Sequence, residues 1–190
     1  PLVSHVINAL KNSRTIDDIV VVGNKELLER NISGVKCLEQ GSSILENALI
    51  GYSYFNQRER ILLVSCDIPE VTSGIDEFVL NSKGDLCFAL TTKTSLKKYE
   101  RIVHRPYFWM INKHGEREGY RISNMLVANP EMIRDINNFV EAHKLRKWKN
   151  PFNVIMVLNE VGWINLFKYL TKKLSMEEVE KRISEIFGCD

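Results

Sequence analysis

Cysteine is scarce in this chain and never paired: Cys37, Cys66, Cys87 and Cys189 are scattered over 190 residues with no CxxC spacing. That removes the paired-thiol signature of a zinc or redox motif. Three of the four lie in or beside apolar, strand-like runs, so buried free thiols are expected, and with them a reducing, cytoplasmic compartment. Neither sign of charge is in excess. Twenty-six Lys and Arg against 24 Asp and Glu leave a formal net charge of +2, with both signs interspersed. A nucleic-acid footprint needs a clustered basic excess, so no nucleic-acid partner is expected. No apolar run is clean enough for a bilayer. The longest, 152–170, carries Asn153, Asn159, Glu160, Asn165 and Lys168, and reads as a core-facing helix instead of a membrane span. There is no internal repeat and no low-complexity linker. No leader is expected either, because the first residues already read as helix. A soluble protein remains, with ordinary hydrophobic (44%) and charged (26%) fractions and enough chain for one domain with a sizeable core.

The stretch Ile61 to Pro69, ILLVSCDIP, is the most informative. Its near-continuous apolar start predicts a buried parallel strand, and Pro69 stops further ladder pairing. Ligands in open α/β sheets bind at the carboxyl ends of strands, where Asp67 lies. A carboxylate there suits Mg²⁺ held against phosphates, although the same Asp could equally close a βα turn.

Around it the pattern alternates. Leu2, Val3, Val6, Ile7 and Leu10 share one helical face. Asp18 to Val22 predicts a strand, Gly23-Asn24 a turn into the helix KELLER, and Val35 to Leu38 a short strand. Gly41 leads into Ser43-Ile-Leu-Glu46, a capping-box signature opening a helix to about Phe55. After the Asp67 strand comes a helix capped by Thr72 or Ser73, with Ile75, Phe78 and Val79 inward, then a strand over Asp85 to Thr91. This order implies a mostly parallel sheet covered on both faces. Tyr107 to Asn112 and Arg117 to Ser123 then read as a hairpin about Lys-His-Gly-Glu. The remainder reads as helical: Glu131 to about Trp148, a break at Asn150-Pro151, the apolar tract, and Ser175 to Phe187 behind a second capping box, Ser175-Met-Glu-Glu178. Sheets of this kind normally begin with a strand whose following loop binds phosphate, whereas this chain opens on a helix, so a strand before Pro1 is expected.

These segments together resemble the MobA-like NTP transferase domain, the GT-A type nucleotidyltransferases that include molybdenum cofactor guanylyltransferase. PLVSHVINAL is similar to the helix after that family's Gly-rich loop, DDIVVVGN to its second strand, and GSSILENAL to its nucleotide-side loop and helix. LLVSCDIPEVTSGIDEFV resembles the metal-binding strand with the helix behind it, HRPY an Arg-Thr-Tyr element, and ISNMLVANP a GGN-containing strand. The resemblance implies an α/β fold: a Rossmann-like three-layer α/β/α arrangement, its mostly parallel sheet carrying an antiparallel hairpin, as a single domain over 1–190 that is incomplete at both ends. It implies transfer of an NMP group from an NTP to a small phosphorylated acceptor, with release of pyrophosphate, in the presence of Mg²⁺ or Mn²⁺. Asp67 would be catalytic as the metal ligand. Gly41, Ser42, Ser43 and Asn47 would approach the nucleotide, and Arg105 and Asn124 the acceptor. A homo-oligomer is left open.

Each residue also has a plainer role. Ser43 is already a helix cap, a half-exposed helical Asn47 needs no ligand, and Asn124 in an apolar strand wants partners of any kind. Arg105 follows a basic run (Lys93, Lys97, Lys98, Arg101) that would serve as a solvated face. His104 and His114 have no ligand-type neighbours at metal spacing and read as structural. The family's Gly-rich loop and its second metal-binding Asp have no counterpart between Pro1 and Asp190, and its GGN element reads Ile122-Ser123-Asn124 here. A non-catalytic nucleotide-binding or assembly domain on the same fold is therefore the alternative. A sugar-nucleotide glycosyltransferase is disfavoured because Asp67-Ile68-Pro69 lacks the paired Asp-x-Asp expected of one.

Overall fold

Val20, Val21 and Val22 are β-branched and favour extended backbone, and Asn24 after them is a strong helix cap, so a short strand passing directly into a helix is what this stretch dictates. The computed structural model describes residues 2–55, 60–68, 74–97, 107–129, 132 and 162–188. Within them the order is α1 (Leu2–Lys11), β1 (Val20–Gly23), α2 (Lys25–Asn31), β2 (Lys36–Glu39), α3 (Ile44–Tyr54), β3 (Ile61–Val64), α4 (Ile75–Asn81), β4 (Leu86–Thr92), α5 (Lys93–Leu96), β5 (Phe108–Ile111), β6 (Arg117–Ala128), α6 (Trp163–Leu170) and α7 (Met176–Phe187). The chain is mixed α/β. It divides into two compact units, Pro1–Cys87 with Asn124–Asp135, and Phe88–Ser123 with Ile136–Asp190.

In the first unit β1 and β2 pair in parallel, with Val21 opposite Cys37, and both side chains are buried. Asn24 Oδ1 accepts the Leu27 N–H at 3.0 Å to start α2 between them. No residue of α2 is buried, and its Lys25–Glu29 and Arg30–Glu26 pairs are exposed. Such pairs contribute about 0.3–0.5 kcal/mol each at most, so the cap and the flanking strands hold this helix more than its charges do. α3 passes close over β1 at Gly51, where a Cβ would meet Val22 Cγ2 at 3.4 Å. Tyr52 of α3, Ile61 of β3 and Ala128 of β6 form the core here, with Leu49, Phe55, Leu63 and Leu86 against them. Ile75 at the start of α4 is 2% exposed, with Phe78 and Val79 half-buried, as their spacing predicts. The cap of α4 is Gly74, with no side-chain bond; Thr72 and Ser73 lie outside the described residues.

Among the described residues the strands fall into two sheets, one parallel and one antiparallel, where a single, mostly parallel sheet was expected. β1 and β2 make a sheet of their own, and β3, β6 and β4 lie in that order in a second one, with β5 also on β6. β3 runs antiparallel to β6, Ile61 opposite Ala128 and Val64 opposite Met125. Of the β3 residues only Ile61 is buried. An apolar run reports burial, not the direction of the neighbouring strand, and hence the expectation of a parallel partner was unfounded. β6 is also longer than predicted: the hairpin's second arm and the ISNML strand are one twelve-residue element.

In the second unit β5 and β6 form the expected antiparallel hairpin, closed at Gly115 with φ +79°, a conformation natural to glycine. Met110, Tyr120 and Leu174 are its buried core, with Met176 and Val179 of α7 beside them. The second capping box is complete, since Ser175 accepts the Glu178 N–H while the Glu178 carboxylate accepts the Ser175 N–H. Lys168 on α6 pairs with the same Glu178. The predicted helix over 131–148, the break at Asn150-Pro151 and the beginning of the apolar tract lie outside the described residues. Where that tract is described, the core-facing reading fails: no residue of α6 is buried, and Trp163, Ile164, Phe167 and Leu170 are all exposed. Apolar content requires that a face be covered but does not say by what. Among the described residues no helix is long and apolar enough to cross a membrane.

Candidate functional site

β3 hands its pairing one step beyond its last residue. The Ser65 N–H donates to the Asn124 carbonyl at 3.0 Å, and the chain then turns through Cys66 and Asp67. That step brings the side chains of three exposed residues together. Asp67 Oδ1 accepts the Ser65 hydroxyl at 2.6 Å and the Asn124 Nδ2–H at 3.0 Å. Asp67 Oδ2 takes no hydrogen bond from the described residues. The result is an exposed residue whose carboxylate has one oxygen fixed from two sides and the other without a hydrogen bond from the described residues, at the carboxyl end of a strand. Asp67 and Asn124 were each expected at a site, and the structure joins them. Ser65 was missed, although its place two residues before Asp67 in a turn was the available signal.

Cys66, next to this carboxylate, is exposed, which corrects the expectation of a buried thiol; Cys37 is buried and Cys87 half-buried. The strand ends before Cys66, so period-two alternation no longer governs where it points. Protein atoms around its sulfur, and secondly the Asp67 charge, push the thiol pKa up. Among the described residues no three His, Cys, Asp or Glu side chains gather where they could share a metal ion.

Gly41, Ser42, Ser43 and Asn47 also come together, in a network closed on itself. The Gly41 N–H donates to Asn47 Oδ1 at 2.7 Å. Ser42 donates both its N–H and its hydroxyl to Glu46 Oε2, at 2.7 and 2.6 Å. Ser43 Oγ accepts the Glu46 N–H at 3.1 Å and caps α3. The predicted capping box is thus half-formed, because the Glu46 carboxylate turns to Ser42 in preference to the Ser43 N–H. Two donors from one residue outbid a single one, and they lower the Glu46 pKa. Gly41 is required by this fold-over, since a Cβ on it would overlap the Glu46 carboxyl group. The Asp67 and Gly41 clusters share no residue and no hydrogen bond among the described residues.

Arg105, Lys98, Arg101 and His104 lie outside the described residues. Lys93 is described, and its ammonium stands over the rings of Tyr107 and Trp109, 6.0 and 5.4 Å from their centroids. His114 sits in the hairpin turn, its backbone N–H donating to Asn112 Oδ1 at 2.9 Å.

No family model matches the chain, and no curated protein matches it either. Among solved structures it is similar to a hypothetical transferase from Thermus thermophilus. The whole chain is covered, as is 76% of that protein, at 23% identity and a TM-score of 0.75. At this identity the likeness is one of fold: the chain shares the architecture of a protein described as a transferase.

Proposed function

We propose that the protein is a metal-dependent nucleotidyltransferase of the GT-A type. In the reaction, an oxygen of the acceptor phosphate forms a bond to the α-phosphorus of a nucleoside triphosphate, the bond from that phosphorus to the bridging oxygen breaks, and pyrophosphate leaves. The observation that carries the reading is the Asp67 carboxylate, held by Ser65 and Asn124 with its Oδ2 open. Mg²⁺ takes hard oxygen donors and is commonly held by one or two carboxylates, with waters and substrate phosphates filling the remaining positions. One open carboxylate oxygen fits an ion held in that manner, and Asp67 would hold it. The ion, when bound, would offset charge on the phosphates. Ser65 and Asn124 fix the carboxylate before ligand arrives, so little reorganisation is left for the reaction itself. Asn124 would thereby act first as a positioning residue, with its side-chain Oδ1 left to meet an acceptor. Arg105 would hold the acceptor phosphate, while Gly41, Ser42, Ser43 and Asn47 would face the nucleotide.

The second reading, a non-catalytic domain on this fold, is favoured by a different observation. The Gly41 and Ser42 donors that would meet a base are taken by Asn47 and Glu46. Under the first reading a nucleotide must displace those side chains.

Thermal shift with GTP, CTP, UTP and ATP, each with and without Mg²⁺ or Mn²⁺, separates the two. A ligand at one hundred times its Kd stabilises the folded state by about 2.7 kcal/mol, a readable rise in Tm. The expected result is a metal-dependent rise for one nucleotide, lost in Asp67→Ala and reduced in Asn124→Ala. No rise with any nucleotide, or an undiminished rise in Asp67→Ala, overturns the proposal.

A further inference from the structure

The amphipathicity of α6 is turned inside out. Trp163, Phe167 and Leu170 recur at helical spacing with Ile164 beside them, and all four are 64–68% exposed. The half-buried side of the helix is Asn165, Leu166 and Lys168, with the Lys168 ammonium paired to Glu178 of α7. A helix that folds onto its own core normally shows the reverse, apolar residues in and polar residues out. The Lys168–Glu178 pair thus holds α6 with its apolar stripe facing outward.

The charge around this stripe has one sign. From Gly162 to Met176 there is no Asp or Glu, and there are three lysines. Lys172 and Lys173, just past the end of α6, are exposed, and their ammonium groups form no hydrogen bond or ion pair with the described residues. The nearest following acids, Glu177 and Glu178, open α7, where Glu178 is taken by Lys168. Lys172 takes φ +63°, a left-handed position that helix ends usually give to glycine. The chain therefore carries a charged side chain where the backbone alone would favour none.

We infer that α6 docks on an anionic phospholipid surface, with Trp163, Ile164, Phe167 and Leu170 entering the headgroup boundary and Lys172 and Lys173 meeting lipid phosphates. A basic amphipathic helix with aromatic and aliphatic residues on its apolar side is the chemistry of an interfacial anchor. At about 1.5 Å per residue, the eight residues of α6 reach roughly 12 Å. A bilayer core is about 30 Å thick, so the helix lies in the interface plane and does not span. A helix face is convex, and a fluid bilayer conforms to it without a shaped groove. A second copy of the chain fits less well, because pairing two α6 stripes would gather the lysines of both chains with no acid of 162–176 to answer them. The inference is independent of nucleotidyl transfer and of Asp67.

Full-length protein is floated with vesicles of phosphatidylcholine alone and with vesicles of phosphatidylcholine and phosphatidylglycerol in equal parts, at low ionic strength. Flotation with the mixed vesicles is expected, with a blue shift of tryptophan emission that Trp163→Phe removes. Lys172→Gln and Lys173→Gln should each weaken binding about fivefold, the share of one lysine at an anionic surface. The double variant Ile164→Ser/Phe167→Ser should weaken it more than tenfold while its Tm stays at or above that of the wild type, since both side chains are exposed. Leu27→Ser, at an exposed apolar residue of α2, should bind like the wild type. The inference is overturned by no flotation with the mixed vesicles, by equal binding to both vesicle types, or by undiminished binding in the double variant. Without flotation, a lower Tm in the double variant would mean that the chain's own residues cover the stripe. A sedimenting dimer lost in that variant would instead make a second copy the occupant.

Discussion

Asp76, in the first turn of α4, collects the loop that follows α1. Its Oδ1 accepts the hydroxyls of Ser13 and, at 2.8 Å, Thr15, together with the N–H groups of Arg14 and Thr15 at 3.0 and 3.2 Å. These donors favour the ionised form and lower its pKa from 3.8 to about 2. A depressed carboxyl pKa adds stability that is fully present above the unfolded-state value and lost as pH falls through the folded one. Asp76→Asn should therefore melt below the wild type at neutral pH, with the gap in Tm closing from about pH 3.8 down to about pH 2. A gap that stays constant over that window would refute this linkage. Nothing in the sequence marks Asp76 as more than a dipole-friendly first-turn acid, because its partners lie about sixty residues away. The same distance problem governs Asp67. The strand-end Asp and the strand Asn are each visible in sequence, yet their meeting depends on the register of β3 against β6 across 57 residues, which no local pattern encodes.

Helix starts marked by a side-chain cap are local and readable, while α4, which begins at Gly74 without one, and the partner of any strand outside a hairpin are not. Asn24, Ser43 and Ser175 all cap where their residue types predict, since a cap needs only its own next few residues. The box at Ser175 is reciprocal, and it sits directly beside the second core through Leu174 and Met176. Ser175→Ala should destabilise the protein by about 1 kcal/mol, measured by urea unfolding, and an unchanged midpoint would mean that the cap is redundant with the Ile111–Leu174 backbone bond. For strands the positions were legible, and so were the parallel β1–β2 pair and the antiparallel β5–β6 hairpin, but the direction of β3 was not. ILLV reads as buried whichever way its neighbour runs, so the parallel expectation for β3 had no physical support beyond the preceding β-α-β alternation. α6 fails for a related reason, as its periodic apolar face is a true property of the sequence whose covering is not written there.

The two compact units are not separable pieces of chain. Two of their three boundaries fall inside strands, between Cys87 and Phe88 in β4 and between Ser123 and Asn124 in β6, while the third, between Asp135 and Ile136, lies outside the described residues. Domain boundaries normally lie in exposed linkers, whereas these two lie within continuous strands. Ile61→Ala in one core and Met110→Ala in the other should each cost about 2–5 kcal/mol. Both should lower one shared calorimetric transition, whereas two resolved transitions, each moved by only one of the variants, would show independent units. The discontinuity of the first unit also has a consequence for synthesis. The strand that pairs with β3 includes Met125 opposite Val64, and at roughly 5–20 residues per second the ribosome delivers it on the order of several seconds later. For that interval the nascent ILLV segment has no antiparallel partner from β6, and its apolar edge is open to other chains. Translation speed between β3 and β6, more than the stability of the finished protein, should set how much of it escapes aggregation during expression.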